Sequence, residues 1–164
     1  MYRRIVPCTS RNRSLRTHLP AIFSRGISRS SVSRRAAARL AAQYGTYKPF
    51  PDLAVNGKQT LNEDIADLAG LTAAYDAYGA SLAGKAAPVQ NALSGDQQFF
   101  LSFAQNWASK SSEAFLREQM MTDTHSPDQF RPVTVRNLDA WYAAFDVQPG
   151  QQLYLAPIDR VRIW

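Results

Sequence analysis

The stretch Thr60-Leu61-Asn62-Glu63-Asp64-Ile65-Ala66-Asp67 carries the reading of this chain. Apolar residues continue from it at Ile65, Leu68, Thr72, Tyr75 and Tyr78, in steps of three or four. That period predicts a helix with a core-facing stripe, starting at an Asn62 N-cap and running to about Leu82. Glu63 and Asp67 lie four residues apart, a little over one turn, so both acids project from one face. Acids in a first turn complement the helix dipole in any helix. The pair alone is therefore a weak pointer, and the neighbouring residues decide its meaning.

Outward from this helix the chain reads as mainly α. SRRAAARLAAQY (33–44) is rich in alanine and arginine and predicts a helix capped by Ser33. Gly45, Pro49, Pro51 and the Asn56-Gly57 pair mark 45–58 as a loop. Gly84–Gly95 is a second loop. A helix is expected over about Gly95–Ser109, where Phe99, Phe100, Phe103 and Trp107 form an aromatic face read as core. Another is expected over Ser112–Met121. The polar loop TDTHSPDQFR (122–131) follows, then a short helix over Asn137–Phe145 and an apolar, extended tail expected to pack on the helices.

The length of 164 residues suits one domain with a real core. The net charge of +6 is unevenly divided. Residues 1–51 hold ten arginines and Lys48 with no acid, whereas residues 52–164 carry more acids than bases. Residues 1–32 are Arg/Ser-rich and cannot bury enough apolar surface to offset ordering entropy, so a disordered basic tail is expected ahead of a domain over 33–164. The same composition fits a mitochondrial-type transit peptide, or translation from a displaced start codon. Arginines alone attract phosphate only in a salt-sensitive, non-specific way, so no specific nucleic-acid partner is expected. Cys8 is the single cysteine, which excludes an intrachain disulfide and a Cys-based zinc site. No run of about 18 apolar residues predicts a membrane span, and the tail has no apolar core of a secretory signal. The compartment stays open.

The string N-G-K-Q-T-L-N-E-D-I-A-D-L-A-G-L-T-A-A-Y-D-A-Y (56–78) resembles the neprilysin family of zinc metallopeptidases, which includes the endothelin-converting enzymes and bacterial oligopeptidases. The family pattern is close to N-G-x-x-T-L-G-E-N-I-A-D-x-x-G-L. Three further stretches resemble the family in the same order: QQFFLSFAQNW (97–107), TDTHSPDQFR (122–131) and the RVRIW ending. The resemblance spans roughly residues 33–164, about four-fifths of the chain. The resemblance implies the C-terminal helical subdomain of a zincin-type peptidase acting on peptides. It implies Glu63 as third zinc ligand and Asp67 as the acid that orients a zinc-bound histidine. It implies His125 as the oxyanion-stabilising donor and Arg131 as the grip on a substrate carbonyl. Arg131 has Asp123 and Asp67 as alternative local partners. Asn62 replaces a family glycine, and Asp64 replaces a family asparagine. The extra charge of Asp64 either perturbs metal affinity or faces solvent.

The family's other two zinc ligands come from a His-Glu-x-x-His helix whose glutamate is the general base. No such sequence occurs here, and the only histidines are His18 and His125. The family's N-terminal part, with the lobe that caps the active site, is expected to be absent, as from a truncated or frameshifted gene. The chain alone is then expected to bind Zn2+ weakly or not at all and to be inactive as a peptidase. Its partner would be the missing N-terminal part. The alternative is a non-catalytic helical interaction module that binds through apolar surface left uncovered.

Overall fold

A computed structural model of the chain describes residues 34–163. The basic tail, Ser33, Cys8 and His18 lie outside the described residues. Five α-helices occur among those residues: α1 (Arg34–Tyr44), α2 (Leu61–Ser81), α3 (Gly95–Gln105), α4 (Glu113–Thr122) and α5 (Asp139–Phe145). Short 3-10 turns occupy Asp128–Phe130, Pro132–Asn137 and Pro157–Asp159. Extended pairing among the described residues is limited to isolated bridges such as Phe50–Leu53. The mainly α expectation holds.

The 21-residue α2 is the central element, and its start differs from expectation. Thr60, not Asn62, is the N-cap, and its carbonyl accepts from the backbone N–H of Glu63 and Asp64. Asn62 lies exposed inside the first turn. The boundary moves because the Asn56-Gly57 turn already delivers the chain in helical geometry at Thr60, whose φ is −89° and ψ −3°. The stripe of α2 forms as the period requires, with Leu68 and Leu71 buried and Tyr75 half-buried. Leu71 and Asp64 join it unannounced.

α1 packs on α2 through Leu40 and Tyr44, both fully buried. The Asn56-Gly57 turn passes so close to α1 that a Cβ on Gly57 would lie 2.1 Å from the Ala41 carbonyl oxygen. Glycine is therefore needed there for approach, a role distinct from backbone freedom. Tyr75 stacks on Phe100 and Tyr78 on Phe99, so the aromatic face of α3 is core, as its spacing predicts. Ser94 and Gln97 form a capping box at the start of α3. This helix ends at Gln105, short of the expected Ser109, and Trp107 leaves the core to lie beneath Arg131.

Ser112 caps α4, and Arg117 ties that helix to Asp52 at 2.9 Å. α5 begins at Asp139 instead of Asn137, because Pro132–Asn137 forms a 3-10 turn that the sequence reading did not assign. Asn137 is buried there, accepts from the Val161 N–H at 2.8 Å and exchanges contacts with Gln43. Val161 and Ile163 are buried, so the C-terminal segment packs on the helices. Burying each such side chain contributes roughly 1.5–3 kcal/mol.

Candidate functional site

The first turn of α2 and the loop Asp123–Arg131 face each other. The loop follows α4 and is held by the 3-10 turn Asp128–Phe130. Glu63, Asp67, His125 and Arg131, drawn from segments some sixty residues apart in sequence, meet along this seam. The Nε2 of His125 lies 3.3 Å from Oε2 of Glu63. Its Nδ1 lies 2.8 Å from Oδ1 of Asp123, and the same oxygen accepts the His125 backbone N–H at 2.9 Å. Those two bonds from His125 hold the Asp123 carboxyl below the usual carboxylate range. The imidazole is thus clasped between two carboxylates, and about two-fifths of its surface stays open to solvent.

One turn along α2, Asp67 receives the Arg131 guanidinium in a two-pronged pair, Nε to Oδ2 at 2.8 Å and Nη2 to Oδ1 at 2.6 Å. Of the two local acids considered for Arg131, Asp67 is the one it meets, while Asp123 serves His125. The Arg131 guanidinium also lies 3.8 Å above the Trp107 ring, a cation–π contact. Both members of the pair are largely buried. Each Asp67 oxygen keeps a second lone pair, so the carboxylate has capacity for a further donor.

The structure corrects the expectation for Asp64. It neither faces solvent nor turns toward the cleft: it is 1% exposed and points inward. One step along a helix rotates a side chain by about 100°, so Glu63 meets His125 across the seam while Asp64 meets the core. Thr60 Oγ1 donates to its Oδ2 and Ser126 Oγ to its Oδ1, each at 2.7 Å. Burial pushes the Asp64 carboxyl up to about 6, partly offset by the bonds from Ser126 and Thr60. Sequence reasoning missed this role, and Ser126 with it. The clue was present in the His-Ser-Pro motif, whose serine has no reason to be buried unless a polar partner awaits it. Gln59, also missed, donates to the Asp123 carbonyl at 2.6 Å and closes the seam from the other side.

Beside the seam runs an open cleft of about 570 Å³ between α2 and α3, lined by Asp67, Gly70, Tyr78, Phe99, Phe103 and Asn106. A Cβ on Gly70 would meet nothing within 4 Å, so this face of α2 is open to close approach among the described residues. Those residues contain no group of three or more His, Cys, Asp or Glu placed to hold a metal ion. The donors gathered here do not by themselves make a tetrahedral zinc site.

The fold is thus a helical scaffold that sets a glutamate, an aspartate, a histidine and an arginine along one seam beside an open cleft. Comparison with known proteins gives the family. The sequence model of peptidase family M13 matches residues 28–161. Neprilysin-3 of Drosophila melanogaster is 37% identical over 130 residues, 76% of this chain and 16% of that protein. Endothelin-converting enzyme 1 of Bos taurus is 35% identical over 136 residues, 80% of this chain and 18% of that protein. The crystal structure of the Mycobacterium tuberculosis zinc metalloprotease Zmp1 with an inhibitor superimposes with a TM-score of 0.77 at 42% identity, covering 79% of this chain and 21% of that one. The chain belongs to peptidase family M13, the neprilysin and endothelin-converting enzyme family, and has the fold of the C-terminal helical subdomain of its zincin-type peptidases. Members of this family are zinc enzymes acting on peptides. The chain spans less than a fifth of the length of these curated relatives. Among the described residues no helix is long and apolar enough to cross a membrane.

Proposed function

We propose that this polypeptide carries the C-terminal part of a zinc metalloendopeptidase active site and is inactive as a peptidase by itself. Glu63 is the third zinc ligand. Asp67 orients a zinc-ligand histidine that another segment supplies. His125 donates to the oxyanion of the tetrahedral intermediate, and Arg131 grips a substrate backbone carbonyl. One observation carries this reading: His125 lies 3.3 Å from Glu63 while Arg131 lies 2.6 Å from Asp67, so the two motifs form one continuous site. Asp123 supports the role of His125, because a carboxylate accepting from Nδ1 fixes the ring, and Nε2 donates to the oxyanion when both ring nitrogens carry a proton. Arg131 presents the planar fork of donors that a carbonyl grip needs.

The donor set supports the proposed inactivity. One carboxylate without a histidine pair does not hold zinc tightly, and no glutamate of a His-Glu-x-x-His helix is present to activate water. The decisive experiment co-expresses the chain with an M13 segment bearing His-Glu-x-x-His and assays a fluorogenic peptide. Chelator-sensitive cleavage by the pair, absent from either part, is expected. Cleavage by this chain alone overturns the proposed inactivity.

A second reading, a non-catalytic interaction module, draws on apolar surface left uncovered. Phe115, Met121 and Ile158 are exposed, and a second apolar cleft of about 590 Å³ opens beside Trp141 and Phe145. Failure of co-expression to restore cleavage, together with stable complex formation, favours this reading.

A further inference from the structure

We infer that Asp64 is a positioning residue whose buried carboxylate fastens the His125 loop to the Glu63 helix and so sets the Glu63–His125 separation. The inference rests on reading Glu63 and His125 as one site. Its geometry is direct. Asp64 follows Glu63 in sequence and Ser126 follows His125, and the Asp64–Ser126 hydrogen bond of 2.7 Å joins the two backbones one residue behind the 3.3 Å contact. Adjacent Cα atoms are about 3.8 Å apart, so a shift of the latch is passed to the site with little slack.

The latch is built to be rigid. Ser126 and Asp64 are each 1% exposed, and Pro127 beside them is among the fully buried residues. Thr60 takes the second carboxylate oxygen at 2.7 Å, so both oxygens of Asp64 are bonded. Two other ties flank it: Gln59 to the Asp123 carbonyl, and Asp67 to Arg131. Both lie at more accessible positions than the Asp64–Ser126 pair. The Asp64 pair alone is sealed from water, where breaking it strands a polar group without a solvent substitute. A carboxylate buried for stability alone is a poor choice, since an apolar residue of similar volume is often as good. Its value lies in fixing one geometry between two segments that sequence separates by 62 residues.

The test uses the whole chain in solution and reads the proximity of Glu63 and His125. With two histidines in the sequence, the His125 ring resonances separate from those of His18, and a His18→Ala variant confirms their assignment. The wild-type protein is expected to show a nuclear Overhauser cross-peak between the His125 ring and the Glu63 side chain. Asp64→Leu and Ser126→Ala are each expected to weaken it at least threefold while a dispersed methyl spectrum reports an intact core. Asp64→Asn is expected to retain it, because an amide can donate to Thr60 and accept from Ser126. A purely structural role lowers the melting temperature but leaves this cross-peak in place. Should Asp64→Leu fail to fold, Ser126→Ala, which removes one hydroxyl, decides the matter. An unchanged cross-peak in Ser126→Ala overturns the inference, as does a loss in Asp64→Asn equal to that in Asp64→Leu. The spectrum is independent of peptidase activity, so failed reconstitution counts against the proposed function and not against the latch.

Discussion

Asp67 and Arg131, 64 residues apart, form a two-pronged ion pair that closes the seam between α2 and the His125 loop. Their side chains are 10% and 15% exposed. Removing one partner strands the other charge in a poorly solvated place, which costs about 3–5 kcal/mol. Asp67→Ala and Arg131→Ala are each expected to destabilise the chain on that scale by urea unfolding. The double variant is expected to lose less than the sum. Strict additivity in that cycle would show that the pair does not couple. Arg131→Lys is expected to be nearly as harmful as the alanine, because an ammonium reproduces neither the fork nor the stacking on Trp107.

Asp64 makes stability depend on pH. Its carboxyl titrates at about 6 in the folded chain, against 3.8 in the absence of the fold. A raised value means that the contribution is fully present below about pH 4 and is lost as pH rises through 6. The size of the effect is about 3 kcal/mol. Asp64→Asn removes it. The stability of Asp64→Asn relative to the parent should therefore rise by up to that amount between pH 4 and pH 7. Urea melts at the two ends of this range measure the change, and a pH-independent difference speaks against it.

Zinc titration of the isolated chain is expected to give no tight, stoichiometric heat. Adding a segment with His-Glu-x-x-His should create such binding, and Glu63→Gln should weaken it. Tight binding by the isolated chain, unaffected by Glu63→Gln, would mean that the donors lie elsewhere.

Gly57→Ala places a carbon 2.1 Å from the Ala41 carbonyl oxygen, which is backbone and cannot swing aside. The α1–turn contact must open, at a cost of roughly 1–3 kcal/mol or more by analogy with overpacked cores. Gly70→Ala, on the same chain but facing open space, is expected to stabilise α2 by up to about 1 kcal/mol. Thermal melts that fail to separate the two variants would contradict this contrast.

The legibility of this chain varied with how local each interaction is. The stripe of α2, the aromatic face of α3 and the helix expected from Ser112 follow from spacing and propensity within a few residues, and they were readable. Helix starts were less so. Thr60 displaced Asn62 as the cap because the Asn56-Gly57 turn is shaped by contact with Ala41, which lies fifteen residues back from the turn. Asn137 joined a 3-10 turn because Gln43 and Val161 hold it, and neither is near it in sequence.

The sequence by itself pointed to a mainly helical chain resembling the neprilysin family, to four candidate site residues, and to the lack of a His-Glu-x-x-His pair. Residue types and spacings are enough for those statements. Only the tertiary structure decided which acid each cation meets: Asp67 for Arg131, Asp123 and Glu63 for His125. Only it placed Asp64, which the sequence left either to perturb a metal or to face solvent, in the interior as the acceptor of the Ser126 hydroxyl. The reason is physical. A helix period tells which face a side chain occupies, but the partner waiting on that face is set by packing between segments about sixty residues apart.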